Sequence, residues 1–134
     1  MSKQNMHKEN IELSLPVNAA YVSAARLTAS SIANRLGFDI DEIEDIKAAV
    51  SEACTYVIKR SNASRSTVFK LVFYMDDGFL EIRIAAQIEQ ASEEQNDEMG
   101  LLMVKALMDQ LNLMPLPDGQ TEMIMLKSHK TTHF

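Results

Sequence analysis

The sequence predicts an α/β (α+β) fold, a two-layer sandwich in which three helices lie on one face of a mixed, mostly antiparallel sheet. Two observations lead to this prediction. Apolar side chains recur at steps of three and four residues over three stretches, which is the helical period. Between them lie short runs that alternate or are rich in β-branched residues, which is typical of strands. The resulting order is β-α-α-β-β-α-β-β, and a chain of 134 residues is expected to form one domain.

The first two elements are delimited by turn and cap signals. Residues 11–15 alternate apolar and polar side chains, which predicts a half-buried strand that ends at Pro16. A helix is predicted over residues 19–36, with Asn18 as its N-cap and Gly37 as its C-terminal stop.

The second helix organises the chain. It is predicted to begin after Asp39, which forms a capping box with Glu42. Over residues 43–58 the apolar positions share one face, and a single acid, Glu52, lies in the middle of this small and apolar run. An acid in that place is either a solvated edge residue or part of a functional site, and the pattern alone leaves both readings open.

The second half of the chain indicates two hairpins around a third helix. The predicted elements are a strand over 67–74, a turn at 76–78, a strand over 79–87, a flexible acidic loop over 88–98, a helix over 100–111, and a final hairpin of 112–116 and 121–127. The third helix is apolar nearly all round, so we expect it to be well buried. The domain is predicted to span residues 11–127, between a disordered N-terminus of 1–10 and a frayed tail of 128–134.

Composition argues against several classes of function. The formal net charge of −6 disfavours a nucleic-acid partner, because the phosphate backbone binds basic surfaces. No apolar run reaches the length of a membrane span, and the polar start of the chain does not resemble a signal peptide. The single cysteine, Cys54, excludes an internal disulfide and lies on the apolar face of the second helix, where we interpret it as a small buried hydrophobe. We therefore expect a cytoplasmic protein with no membrane or nucleic-acid partner.

The run VSEACTYV, residues 50–57, resembles the first conserved motif of the GHKL (histidine kinase-like) ATPases, and specifically that of the anti-sigma factor/serine-protein kinase family. The resemblance extends over residues 11–127 and implies the histidine kinase-like ATPase fold. In the family, this motif carries a glutamate as general base and, four residues later, an asparagine that holds Mg²⁺. Glu52 matches the glutamate, whereas Tyr56 stands in place of the asparagine.

The other ATP-binding positions that the resemblance implies are also changed. Ala86 stands near the place of the family's adenine-binding aspartate, and Ile88 stands in place of the glycine that follows it. In the phosphate-binding segment Gly100 remains, but Glu98 occupies the position of another glycine and would put a carboxylate against the phosphates. We therefore expect no cofactor, with ATP and Mg²⁺ bound only if a remodelled site is active.

Two classes of function follow from the resemblance. The first is a non-catalytic anti-sigma-type regulator that binds a sigma factor or an anti-anti-sigma protein in a partner-switching pathway, as a homodimer. The second is an active serine/threonine-protein kinase, in which Glu52 is the base and Gly100 contacts ATP. In the family an arginine of the first helix contacts the partner, and the resembling residue is Arg26, which we expect to be exposed beside the apolar stripe. A structural subunit of a larger signalling complex is a third reading.

The histidines and methionines are weaker signals. His7, His129 and His133 lie in the expected loose termini, so we predict no metal site. Six of the nine methionines occur from Met99 onward. They either fill the core or form an adaptable partner surface, and both readings remain open.

Overall fold

The computed structural model describes residues 9–61, 67–88 and 98–129 of the chain. In chain order the elements are β1 (Glu9–Pro16), a 3-10 turn (Ala19–Tyr21), α1 (Val22–Arg35), α2 (Ile40–Arg60), β2 (Val68–Asp76), β3 (Phe79–Ala86), α3 (Glu98–Leu107), β4 (Gln110–Pro115) and β5 (Thr121–Ser128). The predicted order of helices and strands is confirmed, although β1 begins inside the stretch that was predicted to be disordered. His7, His133 and most of the predicted acidic loop lie outside the described residues. Within the described ranges, no helix is long and apolar enough to cross a membrane.

The five strands form one sheet in the order β1-β2-β3-β5-β4, and each neighbouring pair runs antiparallel. Both predicted hairpins are present, and Gly78 and Gly119 adopt the positive φ values that their turns require, +82° and +90°. The helices lie side by side, with α1 against α2 and α2 against α3. Sheet and helices share a single core, whose largest fully buried side chains are Phe69, Phe73, Ile46, Leu71, Leu80, Ile82, Ile84, Met123 and Met125. The predicted two-layer sandwich is confirmed.

The predicted helix starts are present with their caps. Asn18 Oδ1 accepts the N–H of Ala20 at 2.8 Å, at the 3-10 turn that leads into α1. At α2, Asp39 Oδ1 accepts the N–H of Glu42 at 2.7 Å, and Glu42 Oε1 accepts the N–H of Asp39 at 2.8 Å. This reciprocal box satisfies two donors at the helix start, and a cap of this kind contributes about 1 kcal/mol.

α3 ends earlier than predicted. It spans Glu98–Leu107 rather than 100–111, because the chain turns at Asp109 into β4. The N–H of Asp109 donates to Leu126 O of β5 at 2.8 Å, and β4 then pairs with β5 along its whole length. Strand pairing therefore overrides the helical spacing of apolar residues that predicted a longer helix.

The prediction that α3 is well buried is wrong. Three of its large apolar side chains are exposed, Met99 by 68%, Leu102 by 57% and Met103 by 42%. Val104 lies in the core. The methionines accordingly divide between the two readings of the sequence: Met108, Met123 and Met125 are buried, and Met99, Met103 and Met114 are exposed.

The start of the C-terminal tail is anchored, so the prediction of fraying is wrong at His129. The N–H of His129 donates to Gly78 O at 2.8 Å. Its Nδ1 lies 2.9 Å from Glu42 Oε1, and its ring packs edge-on against Phe38. These contacts join the end of β5 to the β2–β3 turn and to the first turn of α2.

Candidate functional site

Glu52 lies in the middle of α2 and is half-buried. Its carboxylate faces the first turn of α3, since a methyl group in place of the Gly100 hydrogen would lie 3.3 Å from Glu52 Oε1. That distance is tighter than most contacts of a real Cβ, so the glycine allows α3 to approach the carboxylate closely. The structure thus brings together Glu52 and Gly100, two of the three site residues that the sequence indicated.

Arg26 is the third of these site residues, and its side chain extends from α1 to the same segment of α2. Its Nη1 donates to Ser51 Oγ at 3.2 Å, and Ser51 directly precedes Glu52. The prediction of an exposed side chain is wrong, because α1 packs along α2 and the arginine is half-buried at this boundary. Its neighbour Leu27 is exposed by 62%. All three predicted residues therefore lie around one short segment of α2.

One turn further along α2, Tyr56 and Arg60 form a buried pair. Tyr56 is 9% exposed and Arg60 is 7% exposed. The guanidinium carbon of Arg60 lies 4.9 Å from the centroid of the Tyr56 ring, which is a cation–π contact. Arg60 was not among the residues predicted from the sequence, although a spacing of four residues places both side chains on one face of the helix.

The end of β3 is apolar and packed. Ala86, its last residue, is 1% exposed and pairs with Thr121 of β5. Two residues later, Ile88 forms an antiparallel bridge with Ser61, which directly follows α2. Residues 89–97 and the side chain of Glu98 lie outside the described part of the chain.

Residues 15–127 match the sequence family described as the histidine kinase-like ATPase domain. The chain belongs to this family. The matched stretch begins in β1 and ends in β5, so it includes all three helices and reaches into all five strands.

Several bacterial proteins named serine-protein kinase RsbW are similar in sequence to this histidine kinase-like ATPase domain. Those of Bacillus thuringiensis (strain Al Hakam) and Bacillus anthracis are each 42% identical to it over 77 residues, which are 58% of this chain and 48% of the relative. The match thus spans about half the length of these relatives.

Two solved structures share the fold. The RsbU and RsbW domains of Rv1364c from Mycobacterium tuberculosis match 94% of this chain and 34% of that chain, with a TM-score of 0.74 and 17% identity. The SiaB-SiaC complex from Pseudomonas aeruginosa matches 95% of this chain and 95% of that chain, with a TM-score of 0.63 and 11% identity. At these identities the likeness concerns the fold alone.

At three further positions where the resemblance implies ATP contacts, the side chains carry neither a carboxylate nor an amide. They are the phenol of Tyr56, the methyl group of Ala86 and the aliphatic side chain of Ile88. Among the described residues, no group of three or more His, Cys, Asp and Glu could hold a metal ion. In the part of the chain that the structure describes, the polar groups around this segment of α2 are the Glu52 carboxylate, the hydrogen-bonded pair of Arg26 and Ser51, and the buried pair of Tyr56 and Arg60.

Cys54 is expected to be inert in the folded domain. It is fully buried, and burial raises the pKa of its thiol to about 12. Because the thiolate is the reactive species, we expect a thiol reagent at pH 8 to label Cys54 only as fast as the domain unfolds. The matched control is Thr55→Cys combined with Cys54→Ala, which moves the thiol to the adjacent exposed position and should react at once. Equal labelling rates in the two proteins would contradict the burial of Cys54.

The raised pKa of Cys54 also predicts how the stability of the domain changes with pH. The unfolded thiol loses its proton near its ordinary pKa of 9.0, whereas the folded thiol stays neutral up to about 12. Its contribution to the free energy of unfolding is therefore fully present below pH 9 and declines as the pH rises from 9 towards 12.

Proposed function

We propose that this domain is a non-catalytic regulator of the anti-sigma type, which binds a sigma factor or an anti-anti-sigma protein in a partner-switching pathway of the cytoplasm. Membership of the histidine kinase-like ATPase family and the similarity to proteins named serine-protein kinase RsbW support this proposal. The net charge of −6 suits a basic protein surface as partner. We propose that the domain acts as a homodimer.

The observation that carries the proposal is the buried pair of Tyr56 and Arg60. Tyr56 occupies the position of the asparagine that, by resemblance, holds Mg²⁺. Its ring packs beneath the guanidinium of Arg60 at 4.9 Å, and a positive charge so close to the site repels a divalent cation. The side chains present at this position do not fit the metal.

The adenine-binding positions that the resemblance implies support the same reading. The side chain of Ala86 is a buried methyl group, which offers no acceptor to an adenine amino group. Ile88 is held in a bridge to Ser61, where the family has a glycine. These residues do not fit ATP, and no phosphoryl-transfer chemistry is assigned to the domain.

Arg26 is the anchor that we propose for the partner. The hydrogen bond to Ser51 orients its guanidinium group at the boundary of α1 and α2, so less conformational freedom is lost on binding. The exposed side chain of Leu27 supplies apolar area beside it. Guanidinium groups are enriched among interface hot spots, because their planar fork donates several hydrogen bonds in a fixed geometry.

An active serine/threonine-protein kinase is the second candidate. The close approach of Glu52 and Gly100 favours it, because a helix N-terminus binds phosphate and a nearby carboxylate could serve as a base. In this reading Glu52 is the catalytic base, Gly100 contacts ATP, and other groups must hold Mg²⁺.

ATP with Mg²⁺ is expected to leave the melting temperature of the domain unchanged. A ligand present at 100 times its Kd adds about 2.7 kcal/mol to the free energy of unfolding, so millimolar ATP would reveal a micromolar site as a clear shift. Thermal melts with ATP and Mg²⁺, and with Mg²⁺ alone, measure this. A nucleotide-dependent rise in melting temperature, together with radiolabelled phosphate transfer to a candidate partner that is lost in Glu52→Gln, would establish the kinase instead.

A further inference from the structure

β1 forms one edge of the sheet, and in the described part of the chain no strand pairs with its outer side. At the end of β1, the N–H of Val17 donates to Thr67 O at 2.9 Å, which continues the register of the β1–β2 ladder. Hydrogen-bonded residues alternate in an antiparallel pair, so every second residue back from Val17 bonds to β2. The residues between them, Asn10, Glu12 and Ser14, direct their N–H and C=O groups to the open edge.

This edge is blocked at one end only. Pro16 lacks an N–H, so it closes the last outward position. Native proteins commonly protect a long edge with proline, charge or a covering segment. From Asn10 to Ser14 the strand carries a single charge, that of Glu12, and no strand of the described residues takes up the outward main-chain groups.

A groove of about 510 Å³ lies between this edge and α1. Ile11, Ile32 and Met75 supply apolar lining, and Arg35 lines it from α1. Ile11 is 40% exposed, which is unusual for an isoleucine on the helix-covered side of a strand. The side chains of an added strand would alternate, so every second one would enter this groove and those between would lie on the outer face with Glu12.

The N-terminal end of the same edge is acidic. A second hollow, of about 380 Å³, is lined by three acidic residues, Glu9, Asp76 and Asp77, together with Leu36 and Met75. Glu9 and Met75 line both hollows, so the two are adjacent along the edge. Three carboxylates around one hollow favour a basic side chain at this end.

We propose that the open edge of β1 binds an extended, basic segment of a partner protein, which adds to the sheet as a further strand. Antiparallel pairing is the more stable arrangement, so the C-terminal end of the segment would lie at Glu9. The segment would direct alternate apolar side chains into the groove, with one Lys or Arg opposite Glu12 and another at its C-terminal end. Main-chain hydrogen bonds supply affinity in this mode of recognition, and the alternate side chains supply specificity. None of the Glu52 site residues takes part, so the interaction does not depend on whether ATP binds.

A second copy of this chain suits the edge less well. Antiparallel self-pairing through the outward groups and centred on Glu12 would place two Glu12 carboxylates directly opposite each other, which is destabilising. It would also join two chains that each carry a net charge of −6. A basic segment avoids both repulsions.

A fluorescent peptide of sequence STSVKVTK is the probe, and the acidic peptide STSVEVTE is its control. We expect saturable binding of the basic peptide in fluorescence anisotropy, and binding of the acidic peptide at least tenfold weaker. Ser14→Pro removes an outward N–H and no bond of the β1–β2 ladder, so it should lower the affinity at least tenfold. Ser14→Ala keeps the N–H and should stay within twofold of the unsubstituted domain.

Glu12→Lys tests the role of the acidic charge, and it should lower the affinity for the basic peptide at least fivefold. Glu12 forms an exposed ion pair with Lys70 at 3.4 Å, and Glu44→Lys is the matched control, because Glu44 is also an exposed acid paired with a lysine, Lys47 at 3.1 Å, but lies on α2. It should leave the affinity within twofold. The proposal is overturned if the basic peptide shows no saturable binding, or if Ser14→Pro and Ser14→Ala respond alike. It is also overturned if Ser14→Pro turns a dimer into a monomer in light scattering, which would assign the edge to a second copy.

Discussion

Lys127→Met is expected to lower the free energy of unfolding by about 2–3 kcal/mol. Lys127 is buried in β5, where its Nζ donates at 2.6 Å to the oxygen of Leu107, the last residue of α3. The same Nζ lies 3.6 Å from Asp45 Oδ2 of α2. Methionine retains the apolar stem but leaves a carbonyl at the helix end without its charged donor. Urea denaturation followed by circular dichroism measures the loss.

Asp45→Asn separates the two contacts of Lys127. The side chain of Asp45 is 44% exposed, so its ion pair is screened by water and its removal should cost less than about 1 kcal/mol. If Asp45→Asn and Lys127→Met destabilise the domain equally, the hydrogen bond to the end of α3 is not the dominant contact. The packing of α3 against α2 would then hold the helix in place without this lysine.

Contacts between near neighbours in the chain could be predicted from the sequence. Asn18 and Asp39 cap their helices because each side chain reaches a backbone N–H two or three residues later. Gly78 and Gly119 stand where the turns need a positive φ. In each case the interacting groups are a few residues apart, so residue type and spacing carry the information.

Contacts between distant residues could not be predicted in this way. The apolar spacing of α3 continues into residues 108–111, and only their pairing with β5 makes them a turn and a strand. His129 was expected in a loose tail, yet it contacts Glu42, which lies 87 residues earlier. No local pattern reports a contact of that separation, because both partners are positioned by the fold of the whole domain.

Only part of the candidate site could be predicted, because some of its contacts also join residues that are distant in the chain. The motif around Glu52 identified the segment of α2, and Gly100 lies against it in the structure. Arg26 was expected to be exposed because it borders the apolar stripe of α1. Its acceptor, Ser51, lies 25 residues further along the chain, so the half-buried position appears only when α1 and α2 pack together.

Arg26→Ala is expected to weaken binding of the partner by about 1–3 kcal/mol, while the free energy of unfolding changes by less than about 1 kcal/mol. The half-buried guanidinium group donates a hydrogen bond to Ser51, at 3.2 Å, and its loss leaves no charge buried without a partner. Arg26→Lys should recover only part of the affinity, since an ammonium group lacks the planar fork. Calorimetric titration is the measurement, with a partner isolated from native cell extract and identified by mass spectrometry.

Ser51→Ala is the variant that tests how Arg26 acts. It retains the guanidinium charge but removes the hydrogen bond that orients it, so it should weaken binding less than Arg26→Ala does. If Ser51 acts through Arg26, the double variant should bind no more weakly than Arg26→Ala alone, because contacting residues are not additive. Lys59→Ala removes an exposed cation from α2 and should leave the affinity unchanged. Unchanged affinity in both Arg26→Ala and Arg26→Lys would exclude α1 as the anchor and direct the search to the exposed apolar face of α3.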